Sequence, residues 1–149
     1  MAQAARALER YSDAILQGNT WGDALYIVFS EPGLAAAAAL DVCQQLADVD
    51  CKALGVREGT SMRIALHYGP TYFGRDPVTG RTNYYGTEVS RAARIEPVTP
   101  AGSVYVTEPF AAVLEMETGH AFVCNYVGRI SLPKGYGVYP LYRLSKSTP

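Results

Sequence analysis

The stretch that most constrains this sequence is residues 20–30, where Trp, Leu, Tyr, Ile, Val and Phe crowd together and are interrupted once, by Gly22-Asp23. Aromatic and β-branched residues on both sides of a Gly-containing dipeptide predict two strands joined by a tight turn. Such a hairpin needs a cover, and the material for one comes directly after it. Glu31-Pro32-Gly33 breaks the pattern, and residues 34–49 then run at helical period, with Leu40, Cys43 and Leu46 among many alanines. Small side chains let a helix approach a sheet closely, so the Ala side is expected to be the buried one.

The other segments extend this pattern. Residues 2–17 place Leu8, Tyr11 and Ile15 at helical spacing, which predicts an amphipathic helix ending at Gly18. Residues 61–68 read as a strand ending at Gly69-Pro70, and residues 71–74 with a loop over 75–82 read as the rest of a long hairpin. A short helix is expected over 86–95, closed by Pro97 and Pro100. A strand over 104–107 and a helix over 109–116 with Pro at its first turn come next. Residues 121–132 and 138–144 predict two strands joined by Pro133-Lys134-Gly135-Tyr136-Gly137. With no internal repeat or linker, residues 1–149 read as one α+β domain, a largely antiparallel sheet with helices on one face.

Composition sets limits on function. At 149 residues and 48% hydrophobic content the chain affords one core, which excludes disorder and a disulfide scaffold. Thirteen Lys and Arg stand against 14 Asp and Glu, without a basic run, so binding to nucleic acid or an anionic membrane is not expected. The longest apolar stretch, residues 34–40, is far short of the roughly 20 residues of a membrane span. Cys43, Cys51 and Cys124 lack the spacing of a zinc or redox pair and read as small, at least half-buried residues of a cytoplasmic protein. His67 and His120 have no metal-ligand spacing. Tyr84, Tyr85, Tyr126, Tyr136, Tyr139 and Tyr142 have the chemistry to stack on RNA bases, but their alternation is that of strand residues building a core.

Three residues stand out for chemistry, each with two readings. Asp23, in the hairpin turn, is a metal ligand on a rigid support or a turn former. Arg94 shares a helix face with Ser90, four residues earlier; its guanidinium either holds a phosphate bidentately or pairs with Glu88 or Glu96. Lys134, between Pro133 and Gly135 and near Gly137, sits in a loop that presents amides and an ammonium to an oxyanion, or simply in a turn.

Four ordered blocks join these residues: Trp21-Gly22-Asp23-Ala24-Leu25-Tyr26-Ile27-Val28-Phe29; Arg63-Ile64-Ala65-Leu66-His67-Tyr68-Gly69-Pro70; Tyr85-Gly86-Thr87-Glu88-Val89-Ser90-Arg91-Ala92-Ala93-Arg94-Ile95; and Pro100-Ala101-Gly102-Ser103-Val104-Tyr105-Val106. Together they resemble the catalytic domain of class III adenylate/guanylate cyclases, over residues 19–144. The resemblance implies a ferredoxin-like α+β core and a head-to-tail homodimer whose active sites draw residues from both chains. It also implies a nucleoside triphosphate as substrate, Mg²⁺ or Mn²⁺ as cofactor, and a role in cyclic nucleotide signalling, with a possible regulatory domain in a longer protein. On this resemblance Asp23 matches a metal aspartate, Arg94 the arginine that stabilises the α-phosphate, and Lys134 the lysine that binds the triphosphate.

The departures are equally specific. Ser90 stands where the family usually has asparagine. Asn19 and Asn83 stand where a lysine (or glutamate) and an aspartate read the base, and amides both donate and accept, so the base is left open. The family places its first metal aspartate on a strand ahead of the first helix, and this sequence starts at that helix, so an N-terminally truncated domain with an open sheet position is expected. The alternative reading is a catalytically inactive cyclase-homology module for nucleotide binding or dimerisation.

Overall fold

In the computed structural model the described residues are 2–48 and 61–147. Helix α1 (Ala2–Glu9) leads through a 3₁₀ turn to strand β1 (Ile15–Trp21), which pairs antiparallel with β2 (Ala24–Phe29) across the Gly22-Asp23 turn. Helix α2 (Pro32–Ala47) comes next, then β3 (Ile64–Leu66), β4 (Tyr72–Arg75), β5 (Thr82–Tyr85), α3 (Thr87–Ile95), β6 (Val104–Thr107), α4 (Glu108–Thr118), β7 (Phe122–Leu132) and β8 (Gly137–Lys146). Residues 49–60, which include Cys51 and the expected last residue of α2, lie outside the described residues.

The main sheet has the order β3-β6-β8-β7, with β3 parallel to β6 and the other pairs antiparallel. Side chains alternate across β6. Val104 and Val106 meet the alanines of α2 and Phe110 and Leu114 of α4, whereas Tyr105 belongs to a second cluster with Ile95, Leu132 and Leu141. Helices α1, α2 and α4 therefore form one layer, and α3 reaches the sheet from the other side through its last turn. Ala35, Ala36 and Ala39 are buried as the composition of α2 demands, and Ala4 and Ala7 of α1 nest against Val42. Leu114 and Leu141, almost wholly buried, contribute about 2–3 kcal/mol each.

Local periodicity misleads in three places. The helix expected over 2–17 stops at Glu9, because Tyr11 leaves the helical region and Ile15 pairs with Phe29. Gly18, expected to end that helix, lies inside β1 opposite Ile27. Of the strand expected over 61–68 only Ile64–Leu66 pairs, since β6 offers three partners and His67 turns away to side-chain bonds. The hairpin partner of β4 is β5, a strand where a loop and its exit were expected. Asp76 holds the connecting turn, accepting from the N–H groups of Val78 and Thr79 at 2.7 and 2.9 Å.

The strands are not all joined into one sheet. Among the described residues β2 is paired only with β1, and β3 only with β6. Yet Phe29 of β2 and Ile64 and Leu66 of β3 pack on the same core, and Leu25 joins Ile64 against α1 and α2. Two strands share one helical layer with no hydrogen-bonded ladder between them.

Candidate active site

The β1–β2 turn presents Asp23. Gly22 supplies the left-handed φ of 65° that a two-residue hairpin needs, and Asp23 follows, exposed. The rings of Trp21 and Tyr26 stack at 4.8 Å beside it. Asn19 lies further back on β1, half-buried and opposite Tyr26.

Two hydrogen bonds dock β5 against this hairpin. The Tyr84 N–H donates to Oε1 of Gln17 at 3.1 Å, and the Tyr26 hydroxyl donates to the Tyr84 carbonyl at 3.3 Å. Gln17 is two residues from Asn19 on β1, and Tyr84 is next to Asn83 on β5, so these bonds join the two strands that carry the asparagines. Oδ1 of Asn83 is buried with no hydrogen-bond partner among the described residues. An orphaned buried amide oxygen costs about 1–3 kcal/mol unless a ligand or water meets it.

Ser90, Arg94 and Lys134 form a second group. Gly86, with φ 136°, turns the chain from β5 into α3, where Ser90 is exposed and Arg94 half-buried. Neither acidic neighbour takes Arg94: Glu88 is held by His67 and Arg91, and Glu96 by Arg63 at 2.7 Å. Nε of Arg94 is buried without a partner among the described residues. Lys134 is exposed at φ 61°, a left-handed conformation that L residues rarely adopt. Its loop is tied to α3 by the Tyr136 hydroxyl, which donates to the Thr87 carbonyl at 3.1 Å, and by packing of Tyr136 and Tyr139 around Ile95.

The structure thus joins the strand bearing Asn19 to the strand bearing Asn83, and the Lys134 loop to the helix bearing Ser90 and Arg94. It does not join Asp23 to either group: the Asp23 carboxylate makes no hydrogen bond or ion pair among the described residues. Nor do three His, Cys, Asp or Glu side chains gather there as a metal-holding group. One carboxylate does not neutralise a pair of divalent ions, so the described residues alone do not fit a two-metal centre. Cys43 and Cys124 are half-buried free thiols, and burial pushes both up from the ordinary thiol value.

Reading the residues singly missed the support beneath this site. His67, Glu88, Arg91 and Thr107 form a connected hydrogen-bonded chain under α3. The Glu88/Arg91 spacing was its one local signal.

Comparison with known proteins defines the family and the fold. Residues 8–146 match the family described as "Adenylate and Guanylate cyclase catalytic domain". An adenylate cyclase of Podospora anserina is 34% identical over 73 residues, and one of Schizosaccharomyces pombe is 39% identical over 56, which is 49% and 38% of this chain. The chain covers only 3% of the length of each of these relatives. Among solved structures, an adenylate cyclase from Trypanosoma brucei superposes with a TM-score of 0.78 at 20% identity, covering 96% of this chain and 75% of that one. The guanylate cyclase domain of RhGC from Catenaria anguillulae, in complex with GTP, superposes at 0.74 and 20% identity, covering 99% and 80%. A shared nucleotidyl cyclase fold, matched along nearly the whole chain, defines the class. This chain belongs to the adenylate and guanylate cyclase catalytic domain family.

Proposed function

We propose that this domain converts a nucleoside triphosphate to a 3′,5′-cyclic nucleotide and pyrophosphate, as a homodimer with composite active sites. The ribose 3′-oxygen bonds to the α-phosphorus, the bond from that phosphorus to the bridging oxygen breaks, pyrophosphate leaves, and the hydroxyl proton passes to solvent. The observation that carries this reading is Arg94, whose guanidinium is paired with neither nearby carboxylate and whose Nε is buried without a partner among the described residues, on the helix to which the Lys134 loop is tied. A guanidinium with open donors, on a helix joined to an ammonium-bearing loop, suits a phosphate.

In this reading Arg94 meets the charge that develops on the α-phosphate oxygens, and fixed positive groups of that kind are worth about 3 kcal/mol of barrier. Lys134 holds the triphosphate, Ser90 donates one hydrogen bond toward the reacting end, and Asn19 with Asn83 meets the base. The family's divalent cation, Mg²⁺ or Mn²⁺, supplies charge neutralisation when bound. Asp23 offers it one carboxylate, and further ligands come from outside the described residues.

We further propose that a strand from outside the described residues occupies the position between β2 and β3. The support is that both strands pack on α1 and α2 while their facing edges are unpaired among the described residues.

A second reading, a cyclase-homology module without turnover, is favoured by the amides at positions 19 and 83 and by the lone Asp23 carboxylate. The deciding experiment incubates this chain, and a form extended upstream in frame, with ATP, GTP, CTP or UTP and Mn²⁺, and reads products by mass spectrometry. A cyclic product establishes the enzyme and identifies its base. No product from either form leaves the module.

A further inference from the structure

Helix α3 carries Ser90 and Arg94, yet packing fixes only one end of it. Its one fully buried residue is Ile95, at the last turn, and its N-cap, Gly86, has no side chain to bond the free amides. The first turn is held by polar contacts instead. The His67 side chain, 3% exposed, aims Nε2 at Oε2 of Glu88 at 2.5 Å and Nδ1 at Oγ1 of Thr107 at 2.8 Å. Glu88 accepts a second bond from Nη1 of Arg91 at 2.6 Å, and the Arg91 guanidinium lies 5.3 Å from the Tyr139 ring centroid on β8.

A neutral imidazole satisfies the hydrogen bonds around His67, while Nε of Arg91 is buried without a partner among the described residues. Glu88 as carboxylate accepts from Arg91 and from His67 Nε2–H. The Thr107 hydroxyl accepts the Phe110 N–H at the start of α4 and has its own proton free for Nδ1. Each link joins a different element: His67 follows β3, Glu88 and Arg91 belong to α3, Thr107 ends β6, and Tyr139 lies on β8.

We infer that His67, Glu88 and Arg91 are positioning residues: they fix the first turn of α3 to the ends of β3, β6 and β8, and so set where Ser90 and Arg94 meet the phosphates. At 100° per residue, Glu88, Arg91 and Ile95 fall within about 60° of one another, whereas Arg94 lies about 90° and Ser90 about 130° round the helix from the centre of that face. The anchored face faces the protein, and the candidate catalytic groups lie on the flank beside it. The inference rests on the cyclase reading for its consequence, but not for its geometry.

The test separates the two. In this chain, His67→Leu is expected to speed amide exchange across residues 87–94 at least 10-fold while the β7–β8 ladder keeps its protection. His67→Gln, which retains a donor toward Glu88, should restore most of that protection, and Glu88→Gln, which keeps shape but not charge, should fall between. In any form that turns over, His67→Leu should lower kcat about 10-fold with KM for the nucleotide nearly unchanged, because Lys134 and the two asparagines sit on other elements. Unchanged exchange in α3 overturns the inference whatever the activity, and so does a rise in KM with kcat intact. If no form turns over, the cyclase reading fails while the exchange experiment still decides whether the chain anchors α3. His67→Gln and Glu88→Gln keep the test available should the leucine variant not fold.

Discussion

Arg94 and Lys134 show how single side chains carry the proposed chemistry at different cost to the fold. Arg94 makes no ion pair among the described residues, so Arg94→Ala should leave the thermal midpoint nearly unchanged while lowering turnover about 100- to 1,000-fold, the usual loss on deleting one transition-state stabiliser. Circular dichroism and product assays on the same sample check both halves. Lys134 is held at a left-handed φ that costs a side-chain-bearing residue about 1–2 kcal/mol, and glycine escapes that cost while losing more chain entropy on folding. Lys134→Gly is therefore expected to hold or raise stability by up to about 1 kcal/mol and to raise KM for the triphosphate. A clear drop in melting temperature would contradict the strain argument. His67 adds a pH dependence. Burial, the larger effect, holds its imidazole below the ordinary 6.5, against the opposing hydrogen bond that it donates to Glu88 and the Glu88 charge, and the Arg91 charge pushes the same way as burial. The folded state then binds fewer protons than the unfolded one between the two values, so stability rises with pH across that window and declines on acidification below about 6.5. Urea midpoints between pH 5 and 7 should show this slope, and His67→Gln should flatten it.

At the scale of elements, the sequence is most legible where local preference and tertiary pairing agree. The Gly22-Asp23 turn, the buried alanines of α2 and the long β7–β8 pair follow from periodicity and turn chemistry. Residues 10–18 and 82–85 are less legible. Ile15 fits a helical stripe as well as a strand, and only pairing with Phe29 decides between them. Thr82 to Tyr85 become a strand because Tyr72 to Arg75 lie opposite, a partner too short and irregular for sequence patterning to reveal. The site divides in the same way. The candidates Asp23, Ser90 and Arg94 lie within the four motif blocks, whereas Asn19, Asn83 and Lys134 follow from the wider resemblance around them. The His67, Glu88 and Arg91 network is hidden in the sequence, because His67 lies 21 positions from Glu88 and 24 from Arg91 and meets them only after β3 and α3 are placed.

For the whole molecule, the edges of β2 and β3 that are unpaired among the described residues bear on assembly. Unpaired strand edges invite pairing with another chain, and the proposed site requires two protomers. Sedimentation velocity across a range of concentrations is expected to show self-association of this chain. A clean monomer at high concentration would argue against both the open position and the composite site. Among the described residues no helix is long and apolar enough to cross a membrane.

The carboxylate of Asp41 on α2 ties distant parts of the chain together. It accepts from the Tyr11 hydroxyl at 2.5 Å, Arg10 at 2.9 Å and Lys146 at 3.1 Å, partners 30, 31 and 105 positions away. Burial pushes Asp41 up, but the bonds from Tyr11 and Lys146 and the charges of Lys146 and Arg10 outweigh it and hold the carboxyl below the ordinary 3.8. The consequence is kinetic. A contact that closes so long a loop is expected to form late in folding, and one absent from the transition state slows unfolding while leaving the folding rate alone. Asp41→Asn should steepen the loss of native protein in stopped-flow unfolding while the refolding limb of the chevron stays where it was.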